Sequence, residues 1–224
     1  MAKLSPSTID FLKSLKENNN REWFGKNKHL YEKAKEEFEV FVDKLIAQIA
    51  MFDPSIGHQT AKECVFRIYR DVRFSHDKSP YKTHFGAYIS AATSKSHIHS
   101  YAGYYFHIEP AGESMLAGGA YMPQGPWLKG IRKEISYNGK ELKRIINDGE
   151  FVKCFGELEG EKLKKPPKDY PADHSDIELL KLKSFLAVHK CTDNQIVSDD
   201  FLSQSAGVFK TLYPLNHFLN EAKD

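Results

Sequence analysis

The chain lacks most of the features that assign a protein to a class at once. Its 224 residues include three cysteines, Cys64, Cys154 and Cys191, which are isolated from one another and odd in number. This pattern argues against a disulfide framework and against a Cys-x-x-Cys metal site, and it indicates a reducing compartment. No segment reaches about 18 apolar residues, and the first residues lack the apolar stretch of a signal peptide. We therefore expect a cytoplasmic protein that does not engage a membrane.

A strong charge of one sign is also missing. The formal net charge is +2, from 32 basic and 30 acidic side chains, so no global field draws the chain onto nucleic acid. The sequence has no phosphate-binding loop, dinucleotide fingerprint, nucleophile elbow or zinc-protease helix. We expect no cofactor, and nucleic acid is a possible partner that the sequence does not favour.

The apolar pattern predicts helices at both ends of the chain. Ser5 or Ser7 can cap a short helix, and apolar residues recur at three- and four-residue intervals from Tyr31 to a helix end near Phe52. Pro126 opens a further helical stretch that breaks after Asn138 and is closed by Gly149, and a C-terminal helix begins near Ser198. We also predict a helix over residues 177–183 and a strand over 185–189.

The middle of the chain has β character. Aromatic and β-branched residues dominate the segments 63–69, 83–90, 101–109 and 114–121. Their close spacing favours antiparallel pairing. We predict an α+β fold, with an antiparallel sheet of about four or five strands and helices packed against it. A single domain over 1–224 would comprise a helical part (5–52), a β-rich part (62–122) and a mostly helical part (126–220).

One segment concentrates the charge. Residues 62–84 carry six basic and three acidic side chains, a net charge of +3, and residues 70–82 form a longer loop than an ordinary hairpin needs. In a functional interpretation this loop binds an anion. Its ligand-binding residues would be Arg67, Arg70, Arg73, Lys78, Tyr81 and Lys82, with Asp71 orienting an arginine.

A structural interpretation stays open beside the functional one. Here Arg70 pairs with Asp71 and Arg73 with Asp77, and Phe74 and Tyr81 anchor the loop to the core.

The segment also matches a known pattern. The residues Arg67-x-x-Arg70-Asp71-x-Arg73-Phe74-x-x-Asp77-Lys78-x-x-Tyr81-Lys82 resemble the signature of the bacterial and fungal family called domain of unknown function 2461. The resemblance extends over nearly the whole chain, including residues 20–24 and 163–174. It implies a shared fold and a shared site, but it supplies no activity or substrate. Asp169 departs from the family pattern, where a glycine is expected.

A second polar segment lies near residue 170. Lys168, Tyr170 and His174 could complete the pocket if this segment faces the arginine-rich loop, and His174 suits proton transfer near neutral pH. Alternatively, the segment is a solvated loop in which Asp173 or Ser175 caps the next helix.

Two histidine pairs permit a metal without requiring one. His97-x-His99 and His107-x-Glu109 each place two ligands on one strand face, but a metal site usually needs three or four ligands. We expect no metal.

Two functions compete. The first is a binding or catalytic module for a small anionic ligand that carries phosphate or carboxylate, with Asp71, Asp77 and His174 as candidates for proton transfer. The second is a noncatalytic module that docks protein or single-stranded nucleic acid, with the Arg/Asp motif as an ion-pair lattice. The sequence does not say whether the protein is an enzyme, and it leaves the oligomeric state open.

Overall fold

The fold is α+β, as predicted. A computed structural model of the chain describes residues 3–92, 97 and 100–223. Within them, four strands form one antiparallel sheet whose spatial order follows the chain order. The strands are β1 (Phe85–Ile89), β2 (Gly103–Ile108), β3 (Ser114–Ala120) and β4 (Phe185–Cys191).

Helices pack against this sheet. The part of the chain that the structure describes contains α1 (Pro6–Glu17), α2 (Arg21–Lys26), α3 (Lys28–Ile49), α4 (Ala61–Cys64), α5 (Gly125–Ile146), α6 (Gly149–Phe155), α7 (Ile177–Leu180), α8 (Asp193–Ile196) and α9 (Phe201–Glu221), with a 3₁₀ helix at Pro54–Ile56. In this part of the chain, no helix combines the length and the apolar character that crossing a bilayer requires.

The chain divides into two compact units. Unit 1 consists of Met1–Ile89, Tyr105–Leu116 and Lys190–Gly207, and unit 2 consists of Ser90–Tyr104, Ala117–His189 and Val208–Asp224. The expectation of a single domain stays a prediction.

The N-terminal helices of unit 1 form as the sequence indicates. Asn20 caps α2, and its side chain accepts a hydrogen bond from the backbone N–H of Trp23 at 2.9 Å. Phe38 and Phe41 of α3 stack on Phe106 of β2, with ring centroids 5.3 and 5.2 Å apart. Since side chains alternate along a strand, residues 105, 107 and 109 lie on the opposite face of the sheet from these helices.

The predicted strand at 63–69 is wrong. Glu63 is part of a capping box with Thr60, so the chain turns into α4 before it extends. Two isolated antiparallel bridges then join Val65 to Ala87 and Tyr69 to Tyr81. The first members of these bridges are four positions apart in the chain, whereas the second members are six positions apart. The second segment therefore bulges just before β1, at residues 83 and 84.

Unit 2 contains α5, α6 and α7, and most of β4 and α9, with two corrections to the predicted elements. The backbone of α5 leaves the helical region at Asn138, where the sequence predicts a break. Next to it, Gly139 lies so close to Asp176 that an added Cβ would be 2.9 Å from the carboxyl carbon. Gly149 does not end a helix: it begins α6, because Asp148 caps that helix. The predicted helix at 177–183 is the single turn α7, whereas β4 and α9 form as predicted.

Candidate functional site

The arginine-rich loop is the connection of a long hairpin in unit 1. The backbone N–H of Arg70 donates to Pro80 O at 2.9 Å, and that of Lys82 donates to Ile68 O at 2.8 Å. In the loop beyond these hydrogen bonds, two arginines and two aspartates form what we call the tip cluster: Arg70, Asp71, Arg73 and Asp77. A second set of polar residues lies at the base of the loop, and we call it the stem cluster. Arg67, Lys82 and His84 come from the chain on either side of the loop, and His107 and Glu109 come from β2 and its end.

Asp71 orients an arginine, as the functional interpretation expects. Its carboxylate accepts hydrogen bonds from Arg73 Nε at 3.0 Å and Nη2 at 2.6 Å, and also from the Arg73 backbone N–H at 3.2 Å. The hydrogen bonds from Arg73 lower the pKa of Asp71. The expected pairs of Arg70 with Asp71 and Arg73 with Asp77 are wrong, because the partners are exchanged. A carboxylate two residues before Arg73 reaches both its backbone and its guanidinium.

Arg70 joins the two sides of the tip. Its guanidinium donates to the carboxylate of Asp77, to Ser79 O at 3.1 Å and to Ser75 Oγ at 3.3 Å. Asp77 Oδ1 also accepts the hydroxyl of Ser79 at 2.5 Å and its backbone N–H at 2.9 Å. The hydrogen bonds from Ser79, with that from Arg70, lower the pKa of Asp77 to about 2. The two arginines and two aspartates of the tip cluster therefore form two ion pairs.

The other loop residues serve different purposes. Lys78 Nζ donates to the carbonyl of Val72 at 2.9 Å, which closes the tip further. The ring of Tyr81 is buried and stacks on Phe24, with centroids 4.0 Å apart, as the structural interpretation expects of an anchor. Phe74 is 95% exposed, so its expected role as a second anchor is wrong.

The cations of the stem cluster lack carboxylate partners. Within the described residues, neither Arg67 nor Lys82 forms an ion pair, and Arg67 is exposed. The ammonium of Lys82 is partly buried, with the ring centroid of Phe66 5.1 Å away. Burial lowers the pKa of Lys82, and the nearby charge of Arg67 lowers it further. Two like charges thus act on each other without an ion pair of their own, although the charge of Arg67 also acts on Asp71.

Two histidines and a glutamate complete the stem cluster. His84 directly precedes β1, and alternation along the strand places it on the sheet face of Gly86, which lies against Tyr105 of β2. The ring centroids of His84 and His107 are 4.3 Å apart. Glu109 Oε2 lies 3.2 Å from His107 Nε2 and 3.8 Å from His84 Nδ1. Burial, with the charge of His107, lowers the pKa of His84 to about 4, and burial also lowers that of His107. Burial opposes ionisation of Glu109, but hydrogen bonds from Thr83 and His107 outweigh it and lower the pKa of Glu109.

Sequence reasoning found only part of this cluster. The spacing of His107 and Glu109 signals a shared strand face, but His84 is 23 residues before His107 and meets it only through the pairing of β1 with β2. His97 is exposed, and His99 lies outside the described residues.

The second polar segment belongs to unit 2. Lys168 and Asp173 are exposed, and Tyr170 presents its ring edge-on to His174, with centroids 6.1 Å apart. Both ring nitrogens of His174 are engaged: Nδ1 accepts the backbone N–H of Asp176 at 3.0 Å, and Nε2 lies 3.2 Å from Ser136 Oγ. The expected cap by Asp173 or Ser175 is wrong, since Asp176 occupies the N-cap of α7. That this segment faces the arginine-rich loop stays a prediction.

Comparison with known proteins supplies a family and no activity. No curated protein matches the chain, and no solved structure matches it either. A family model described as "Conserved hypothetical protein (DUF2461)" matches residues 7–218. This match covers more than nine-tenths of the chain and agrees with the resemblance noted from the sequence. The chain therefore belongs to the DUF2461 family.

Proposed function

We propose that the protein binds a small anionic ligand, carrying a phosphate or carboxylate group, at the stem cluster. Lys82 carries this proposal. Its ammonium is partly buried beside the charge of Arg67, and no carboxylate of the described residues pairs with either cation. Because proximity of like charges is unfavourable, an anion that contacts both groups relieves repulsion and gains charge-assisted hydrogen bonds.

The tip cluster is a weaker anion site for a physical reason. Each tip arginine already faces a carboxylate that neutralises its charge, so a ligand at either gains less attraction; taking over the donors now in use would displace Asp71 from Arg73 or break three hydrogen bonds of Arg70. Each displaced group then needs a new partner. We therefore assign the tip the task of fixing the loop, and we assign the stem the task of contacting the ligand.

Neither tip aspartate suits proton transfer near neutral pH. Their hydrogen bonds lower the pKa of Asp71 and Asp77, so both are ionised and hold their partners firmly. His84 and His107 are neutral at that pH, because burial lowers both pKa values. The proposal is accordingly one of binding and assigns no reaction.

Isothermal titration with inorganic phosphate, pyrophosphate and citrate, on protein stripped of metal by a chelator that is then removed, tests the proposal. We expect Arg67→Ala and Lys82→Met each to weaken binding of the preferred anion at least tenfold, since a hydrogen bond to a charged group contributes about 1.5–3 kcal/mol. Arg73→Ala is the matched control, because it removes an arginine that already has a carboxylate partner, and it should leave the affinity unchanged. Absence of binding by all three anions, or an equal loss in the control, would refute the proposal.

A second candidate rests on Phe74. Its ring is 95% exposed at the loop tip, with Arg73 Cζ 5.8 Å from the ring centroid. An exposed ring beside a cation can stack on an unpaired base. A gel shift of a single-stranded oligonucleotide that weakens with salt and disappears in Phe74→Ala would support this candidate, and no shift at low salt would eliminate it.

A further inference from the structure

The geometry points to a second kind of binding site within the stem cluster. We infer that His84, His107 and Glu109, called the triad below, bind one divalent transition-metal ion such as Zn²⁺. This inference departs from the sequence-based expectation of no metal, and it does not depend on anion binding by Arg67 and Lys82.

The three side chains converge at the separations that a metal ion requires. One ligand atom from each of them lies within 4.8 Å of the others. The oxygen Glu109 Oε2 is 3.2 Å from His107 Nε2 and 3.8 Å from His84 Nδ1. Ligands about 2.0–2.1 Å from a tetrahedral ion are about 3.4 Å apart, so small side-chain adjustments would place all three in the coordination sphere.

The ligand set suits this class of ion. Two imidazoles and one carboxylate are ligands that zinc and ferrous sites use, and they leave further coordination positions for water or substrate. A hard cation such as Mg²⁺ prefers oxygen ligands and is therefore a poorer match.

Outer contacts orient two of the ligands. The hydroxyl of Tyr105 lies 2.8 Å from His107 Nδ1, the ring nitrogen that faces away from Glu109. Gly86 permits this arrangement, since a Cβ there would be 3.2 Å from the same hydroxyl. The other carboxylate oxygen, Glu109 Oε1, accepts a hydrogen bond from Thr83 Oγ1 at 2.9 Å. Metal-binding histidines and carboxylates are commonly held by such partners.

A metal ion would replace a proton between His107 and Glu109. Without metal, a neutral His107 carries its proton on Nε2 and donates it to Glu109. With metal, the ring takes the other tautomer, and Nδ1–H donates to the Tyr105 hydroxyl. No proton is lost in this exchange. The same side-chain arrangement therefore fits either the hydrogen bond between His107 and Glu109 or a bound metal ion, and a metal titration distinguishes the two.

Charges of both signs surround the triad. Lys16 Nζ is 3.7 Å from Glu109 Oε1, the oxygen that the metal does not need. The charge of Lys82 opposes a bound cation, while that of Glu113 favours one, since each acts on His107. Replacing Lys82 should therefore leave metal binding intact or strengthen it.

Full-length protein stripped with a chelator, then freed of it, provides the test. Titration with Zn²⁺ by calorimetry, and with Co²⁺ by visible absorption, should show one saturable site per chain, in buffer free of phosphate and carboxylate. We expect His84→Ala and Glu109→Gln each to weaken Zn²⁺ binding at least tenfold. His76→Ala is the matched control, because His76 is an exposed histidine of the same unit, and it should bind like the wild type.

Three results would overturn the inference: no saturable site in the wild-type chain, unchanged affinity in His84→Ala, or an equal loss in the His76→Ala control. Circular dichroism establishes that each variant is folded. Lys82→Met separates this inference from the proposed function, since it should weaken anion binding at least tenfold and retain Zn²⁺ binding. If the protein binds the metal but no anion, only the proposed function is refuted. If it binds an anion but no metal, only this inference is refuted.

Discussion

The tip and the stem of the arginine-rich loop hold their charges in opposite ways. At the tip, two arginines meet two aspartates in hydrogen-bonded pairs. At the stem, Arg67 and Lys82 lie near each other with no carboxylate partner among the described residues, beside two histidines that share one glutamate. The densest run of arginine in a sequence is therefore not necessarily the part whose charges are open to an anionic ligand.

Burial reinforces this difference. The Arg73 side chain is 76% exposed, so its ion pair contributes little to stability and is screened by salt. Four residues of the stem are partly or fully buried: Lys82, His84, His107 and Glu109. In such surroundings charge interactions are stronger, and an unpaired charge costs more free energy. An anionic ligand therefore gains more binding free energy at the stem than at the tip.

The largest expected effect is a loss of stability when the stem of the loop loses its anchor in the core. Tyr81→Ala removes the ring that stacks on Phe24, and we expect it to lower the free energy of unfolding by about 3 kcal/mol. Urea denaturation followed by fluorescence measures this loss. Tyr81→Phe is the control: it retains the stack and should stay within about 1 kcal/mol of the wild type. A loss below about 1 kcal/mol in Tyr81→Ala would mean that the stem does not depend on this anchor.

Much of the fold follows from the sequence, because its elements have strong local signals. The apolar spacing from Ala34 to Ile49 predicts α3, and the aromatic run before Glu109 predicts β2. The segment at 63–69 misleads because its β-rich composition conceals a capping box. The hydrogen bonds between Glu63 and Thr60 outweigh the local preference for a strand there.

The site was harder to predict than the fold. The loop is conspicuous in the sequence, but the pairing of Arg70 with Asp77 and Arg73 with Asp71 depends on the path of the backbone between them. The triad depends on the register in which β1 pairs with β2, two segments far apart in the chain. A pairing register between distant segments has no periodic signature, so it could not be derived from residue spacing.

The second effect separates the two arginines of the tip. Arg70→Ala removes hydrogen bonds to Asp77, Ser79 O and Ser75 from a side chain that is only 25% exposed. We expect a loss of about 1–2 kcal/mol in the free energy of unfolding, whereas Arg73→Ala should produce no measurable change. Chemical denaturation of the two variants side by side makes the comparison. Equal losses would contradict the assignment of Arg70 as the residue that closes the loop.

The smallest effect is a pH dependence confined to the tip. The pKa of Asp77 is about 2 in the folded chain, against an ordinary value of 3.8, because Ser79 and Arg70 donate hydrogen bonds to its carboxylate. A lowered folded-state pKa contributes stability that is fully present above about pH 4 and is lost as the pH falls toward 2. Asp77→Asn removes this contribution, so its unfolding midpoint should fall less steeply than that of the wild type between pH 4 and 2. Because Asp77 is exposed, the difference should also shrink in high salt. Identical slopes for the two proteins would show that the tip cluster is not held by this carboxylate, and the contrast between a paired tip and an unpaired stem would then rest on Asp71 alone.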